Sequence, residues 1–308
     1  MSEKSSMRVL NVKEIEDTSK RSAVEISKEM QKTMLKLKGE FIIEDGKGVN
    51  YAGIKGSKMF KDYFENLAPQ LQYVDLGMVS ENEKKAFFIN VYNALTIHGL
   101  VERTELPQSV LKVEQFWNTT AYNIGGLVYS LDDIEHGILR SNRSHPSSVH
   151  PTFKKGDPRL KYIVKELDPR IHFALVCGAK SCPAINVYTA MNLDRALDAA
   201  TQAFCAQEVS MFTEVDEIWL SRIFQWYSQD FGNTDIDVIK WTIPYLEKGI
   251  QDRAHVLLFK LDKVAPVAIK YNEYDWTLNL PKPKYDPTEI HPNDLMEIEN
   301  DNEQIQQE

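Results

Sequence analysis

Cysteine is scarce in this 308-residue sequence. Only Cys177, Cys182 and Cys205 occur, an odd set without the spacing of a disulfide framework, so a reducing, cytoplasmic location is expected. Long apolar runs are missing too. The longest, Ala86–Val101, carries Asn90, Asn93 and His98 and falls short of the ~20 apolar residues a bilayer span needs, so no membrane insertion is expected. The first twenty residues have no apolar centre of signal-peptide length. Basic charge is not in excess: the formal charge is −9, and residues 281–308 hold eight Asp and Glu against two Lys. The remainder is close to neutral, which leaves no basic surface for nucleic acid. No P-loop, GxGxxG, HExxH or GxSxG pattern is found, and no cofactor is expected. The partner is therefore an unidentified protein or small molecule.

What is present is a core. Hydrophobic residues make up 43% of the chain, enough for one substantial globular domain. Ala23, Ile26, Met30, Met34 and Leu37 recur at helical steps before Gly39 and predict an amphipathic helix. Ser57 can cap a second helix that Pro69 ends. Ser80 and Glu83 form a capping-box pattern ahead of a helix that is apolar on nearly all sides and belongs at the centre of the fold. Tyr122–Tyr129 reads as a hairpin turning at Gly125-Gly126, and Ser130 with Asp133 caps a helix to Arg140. Residues 141–156 read as an exposed loop. Ile171–Val176, an almost wholly apolar run, suits a strand buried on both faces. Further helices are expected over 189–207, 221–227 and 235–247, and strands over 217–220 and 264–271. The class is α+β: a mostly helical single domain, residues 21–280, around a small sheet, between a disordered N-terminal tail over 1–20 and an acidic disordered tail over 281–308.

The segment from Asp168 to Pro183 is the most site-like. It places His172, Cys177 and Cys182 in an apolar run that ends in a turn of small residues. On a strand His172 and Cys177 would face opposite ways. Cys182 lies past the turn, near Lys180, where a thiol becomes more acidic and reactive, although both thiols equally suit packing. A zinc site from His172, Cys177, Cys182 and His136 matches structural spacing poorly, and no metal is expected. Asn90 and Asn93 share one stripe of the central helix and either pin neighbouring backbone or bind substrate. His136 and Arg140, four apart, can bind an anion or orient a carboxylate. Asp275 is a candidate third member of a Cys–His–carboxylate set.

Ala86–Leu95, Ser130–Arg140 and Asp168–Pro183 together closely resemble the domain-of-unknown-function 547 family, and Ile223–Tyr227, Asp230–Gly232 and Tyr274–Asn279 continue the likeness, over about residues 45–280 in all. The resemblance implies little about activity: members of that family are at times fused to glutaredoxin, DEP or leucine-zipper segments and share no established reaction. A more distant similarity to papain-like or transglutaminase-like enzymes is suggested by a central buried helix combined with strands bearing His, but here Asn90 or Asn93 occupies that helix and the thiols follow His172. Two functions fit these residues. One is a cysteine-dependent hydrolase or acyl-transferase using Cys182, His172, Cys177, His136 and Asp275, with Asn90, Asn93 and Arg140 binding substrate. The other is a non-catalytic interaction module of an intracellular signalling pathway.

Overall fold

The computed structural model describes residues 6–15, 21–42, 49–103, 105–263 and 266–280. The expected acidic tail therefore lies outside the described residues. In chain order the elements are β1 (Arg8–Val9), α1 (Ala23–Glu40), α2 (Tyr51–Gly56), α3 (Lys58–Asp62), α4 (Glu81–Val101), α5 (Phe116–Thr119), β2 (Thr120–Ile124), β3 (Leu127–Ser130), α6 (Leu193–Glu208), β4 (Ser210–Phe212), β5 (Glu217–Leu220), α7 (Arg222–Trp226), α8 (Ser228–Phe231), α9 (Asp235–Thr242), α10 (Lys248–Asp262) and β6 (Ala268–Tyr271). Short 3₁₀ and π turns join them. This is a mixed α+β domain, with helix far outweighing strand. Among the described residues no helix is long and apolar enough to cross a membrane.

The central helix forms as its sequence demands. Ser80 and Glu83 close a reciprocal capping box at the start of α4, satisfying two of the amides a helix end leaves open. Every residue from Ala86 to Val101 is buried, as an all-round apolar helix requires. α1, capped in the same way by Ser22 and Glu25, lays its Met30, Met34 and Leu37 face into the same core. Two three-stranded sheets flank the helices. In one, β2 and β3 form the expected antiparallel hairpin and β1 joins β2 in parallel. In the other, β5 pairs antiparallel with β4 and parallel with β6.

Two expectations are corrected. Within the presumed N-terminal tail, Arg8–Val9 is a strand, and Leu10 and Asn11 are buried. The Asn11 amide explains the order, because it bonds the backbone of Asn123 in both directions and the carbonyl of Ala68. The second correction concerns Ile171–Val176, which is not a strand: Pro169–Phe173 is a 3₁₀ turn. Asp168 caps it through the Arg170 amide and Pro169 opens it, the usual chemistry of a helical start. The run is apolar on all sides because it passes between two cores: Ile171 and Ala174 join the one around α4, and Phe173 joins the one formed by α6, α9 and α10.

Candidate functional site

The segment that follows this turn is held from two directions. From α4, the Asn93 amide donates to the carbonyl of Ala174 at 2.9 Å and accepts from the amide of Val176 at 2.8 Å. Asn90 makes the same two-way bond with Tyr188, at 2.7 and 3.0 Å. These amides clamp backbone on either side of the thiols and do not line the large cavity described below. From the C-terminal side, the amides of Lys180 and Ser181 donate to the carbonyls of Thr277 and Asp275. Gly178 sits at φ +94° against Leu100, a backbone state that side chains rarely tolerate.

Between these clamps the two sulfurs meet. Cys177 Sγ and Cys182 Sγ lie 2.7 Å apart, the Cys177 amide donates to Cys182 Sγ at 3.2 Å, and the Tyr274 hydroxyl is 3.4 and 3.6 Å from the two sulfurs. Both residues are half-buried. The Cys177 thiol is pushed well above its ordinary range by its hydrogen bond to Cys182 and by burial. Burial alone would raise Cys182 as well, but the hydrogen bonds it accepts from Cys177 and Tyr274 favour its thiolate and bring it down to about 7.

Cys177 opens on a cavity of about 800 Å³. Its floor is a buried polar network. A π turn over Asp133–Leu139, a feature frequent at functional sites, presents Glu135 and His136. Glu135 accepts from the Tyr227 and Tyr92 hydroxyls at 2.8 and 3.0 Å. Its burial favours the neutral acid, but His136, His172 and the Tyr227 hydrogen bond prevail and lower its pKa. Neighbouring Asp132 is pushed up to about 7 by burial and by the charges of Glu135 and Asp133. His172 donates Nε2–H to Asp230 Oδ2 at 2.8 Å and stacks on Tyr227 with ring centroids 4.0 Å apart. Arg140 grips both oxygens of the same carboxylate, at 2.6 and 3.0 Å. Although burial opposes ionisation, His172 and Arg140 hold Asp230 far below the usual carboxylate range. Trp117, Trp226, Tyr274 and Trp276 form an aromatic wall.

Asp132, His136 and His145 bring one ligand atom each within 4.8 Å of one another. The hydrogen bonding of His136 argues against a cation there. Arg140 donates to its Nδ1 at 3.0 Å, so in the neutral ring Nε2 carries the hydrogen. A metal-bound imidazole instead donates from its second nitrogen. With Nδ1 accepting and burial pushing its pKa down to about 4, His136 is a neutral hydrogen-bond donor.

The expected site residues thus separate. His136, His172 and Cys177 share the cavity, whereas Cys182 lines a second one behind them. No hydrogen bond joins either thiol to an imidazole among the described residues. Arg140 is committed to Asp230. Asp275 is exposed, and its carboxylate accepts from the amide and hydroxyl of Thr277 at 2.9 and 2.6 Å, so it shapes a turn, and among the described residues no histidine bonds to it. Asp230, Glu135, Tyr92 and Tyr227 were not foreseen. The one sequence signal was Asp230 itself, an acid set among aromatic residues from Ile223 to Phe231.

The fold and cavity define an α+β protein with a buried histidine–carboxylate network beside a dithiol. The model of a family described as "Protein of unknown function, DUF547" matches residues 76–205, and over that stretch the chain resembles the family. The match spans α4, the π turn and both thiols, while Tyr227 and Tyr274, which line the cavity, and Asp230, which holds His172, lie beyond it. No curated protein and no solved structure matches the chain.

Proposed function

We propose that the protein is a cysteine-dependent hydrolase or acyl-transferase whose nucleophile is Cys177. One observation carries the reading: His172, held through Nε2 by the Asp230–Arg140 pair, lines the same cavity as the Cys177 thiol. With Nε2–H fixed on a carboxylate, Nδ1 of the neutral ring keeps its lone pair and serves as base. The Cys177 proton passes to that nitrogen as the sulfur bonds the acyl carbon. The oxyanion takes a hydrogen bond from Nε2–H of His136. The leaving group departs with the proton from His172, and water or an acceptor nucleophile then cleaves the thioester. Thiol and imidazole close to bonding distance only when substrate fills the cavity, as is common for catalytic pairs. A non-catalytic module that binds its ligand in the aromatic-walled cavity is the rival, favoured by the missing thiol–imidazole hydrogen bond.

Full-length protein incubated with p-nitrophenyl acetate decides between them. Mass mapping is expected to place an acetyl thioester on Cys177, absent in Cys177→Ser and formed about 100-fold more slowly in His172→Gln. It should persist in Cys182→Ser. Acetylation confined to surface lysines, or equal in all variants, favours the binding module.

A further inference from the structure

The dithiol has geometry of its own that acyl transfer does not use. The two sulfurs stand 2.7 Å apart, and a disulfide needs them at about 2.05 Å, a closure of a fraction of an ångström across a loop of four residues. They also form the partition between two cavities. Cys177 faces the large one, whereas Cys182 faces a second of about 450 Å³, lined also by Lys38, Tyr51 and Lys180. An oxidant can therefore reach Cys182 without passing through the cavity that contains His172. The third cysteine, Cys205, is fully buried in the other core and serves as an internal control.

We propose that Cys177 and Cys182 are a redox-active pair that a hydroperoxide, entering the second cavity, converts reversibly to a disulfide. Cys182 thiolate attacks the terminal peroxide oxygen. An S–O bond forms, the O–O bond breaks, and hydroxide or alkoxide leaves, giving Cys182 sulfenic acid. Cys177 then attacks the Cys182 sulfur and the S–S bond forms. Its thiol proton joins the departing hydroxyl as water. Sulfur is oxidised by two electrons in all and the peroxide is reduced by the same two. A dithiol reductant reverses the state by exchange. The acidity of Cys182, set by hydrogen bonds from the Cys177 thiol, the Tyr274 hydroxyl and the Cys177 amide, makes it the attacking sulfur, and the less acidic Cys177 is the resolving one. The pair stands whether or not Cys177 transfers acyl groups; if it does, oxidation removes the nucleophile.

The test uses folded, full-length protein exposed to a slight excess of hydrogen peroxide, then unfolded and alkylated with N-ethylmaleimide for intact-mass and peptide analysis. The expected product has a Cys177–Cys182 disulfide, Cys205 fully alkylated, and both thiols recovered after dithiothreitol. The pair is expected to react faster than Cys205 by on the order of tenfold or more. In Cys177→Ser, Cys182 is expected to stall as a sulfenic acid that dimedone traps. Cys182 sulfinic acid with Cys177 still alkylated, or wild-type thiols that resist oxidation as Cys205 does, would overturn the proposal. Because the disulfide is read by mass, its failure is separate from any failure to form the acetyl thioester.

Discussion

His98 and His172 are both buried, both packed against aromatic rings and both hydrogen-bonded, yet they sit in different chemistry. His98 lies on α4 among the edges of Phe60, Tyr63 and Phe64, with Nδ1 bonded to the Tyr122 hydroxyl at 2.7 Å and Nε2 without a partner among the described residues. It lines neither of the two cavities described above, and burial with the nearby Arg8 charge pushes its pKa down to about 3. His172 has a carboxylate as partner, a guanidinium behind that carboxylate and open space in front. Burial and aromatic packing alone therefore do not distinguish a site. A fixed counter-charge and an adjoining cavity are what make His172 the candidate.

The sharpest way to break the contrast is to remove the counter-charge. Asp230→Ala leaves the buried Arg140 without its counter-charge and is expected to cost on the order of 3–5 kcal/mol in urea unfolding; a loss below about 1 kcal/mol would mean that the network does not stiffen the site. The next effect belongs to the sealed histidine. The fold holds His98 neutral down to about pH 3, whereas the unfolded chain protonates it near its ordinary pKa of about 6.5. Between those values the unfolded state binds the extra proton, so stability falls as pH falls, by about 1.4 kcal/mol per pH unit. His136, pushed down to about 4, acts in the same direction. His98→Gln should flatten that acid limb in stability measured against pH, and an unchanged slope would show that the ring is not held neutral. The smallest effect is expected at Asp275, where Ala removes two exposed turn bonds and costs about 0.5–1.5 kcal/mol by thermal unfolding. The p-nitrophenyl acetate reaction should remain intact in that variant; its loss would return Asp275 to the catalytic set.

Much of the scaffold was legible because its signals are local. The capping boxes at Ser80 and Ser130 and the Gly125-Gly126 turn act over three or four residues, and each lies where its sequence pattern predicts. α10 has a weak sequence signal, since only Ala254 and Leu257 of its face are fully buried while Val256 and Phe259 stay exposed, blurring the helical period. The segment Ile171–Val176 mimics a strand in its sequence because burial between two cores erases the periodicity that separates strand from helix. The site was half visible. His136, His172 and Cys177 are unusual in their own surroundings, but Asp230 acts on residues 58 and 90 positions away, and no spacing rule reaches that far.

The way the thiol turn is anchored has a consequence for synthesis. Its outer edge is built by Asp275 and Thr277, its hydroxyl neighbour is Tyr274, and Ala179 bridges to Leu278. Nearly a hundred residues separate Cys177 from these supports, so at about 5–20 residues per second a nascent chain carries both cysteines for roughly 5–20 s before their enclosure can form. During that interval nothing from the late segment shields the sulfurs or fixes their spacing. Their paired chemistry is thus acquired only when translation has delivered almost all of the described fold.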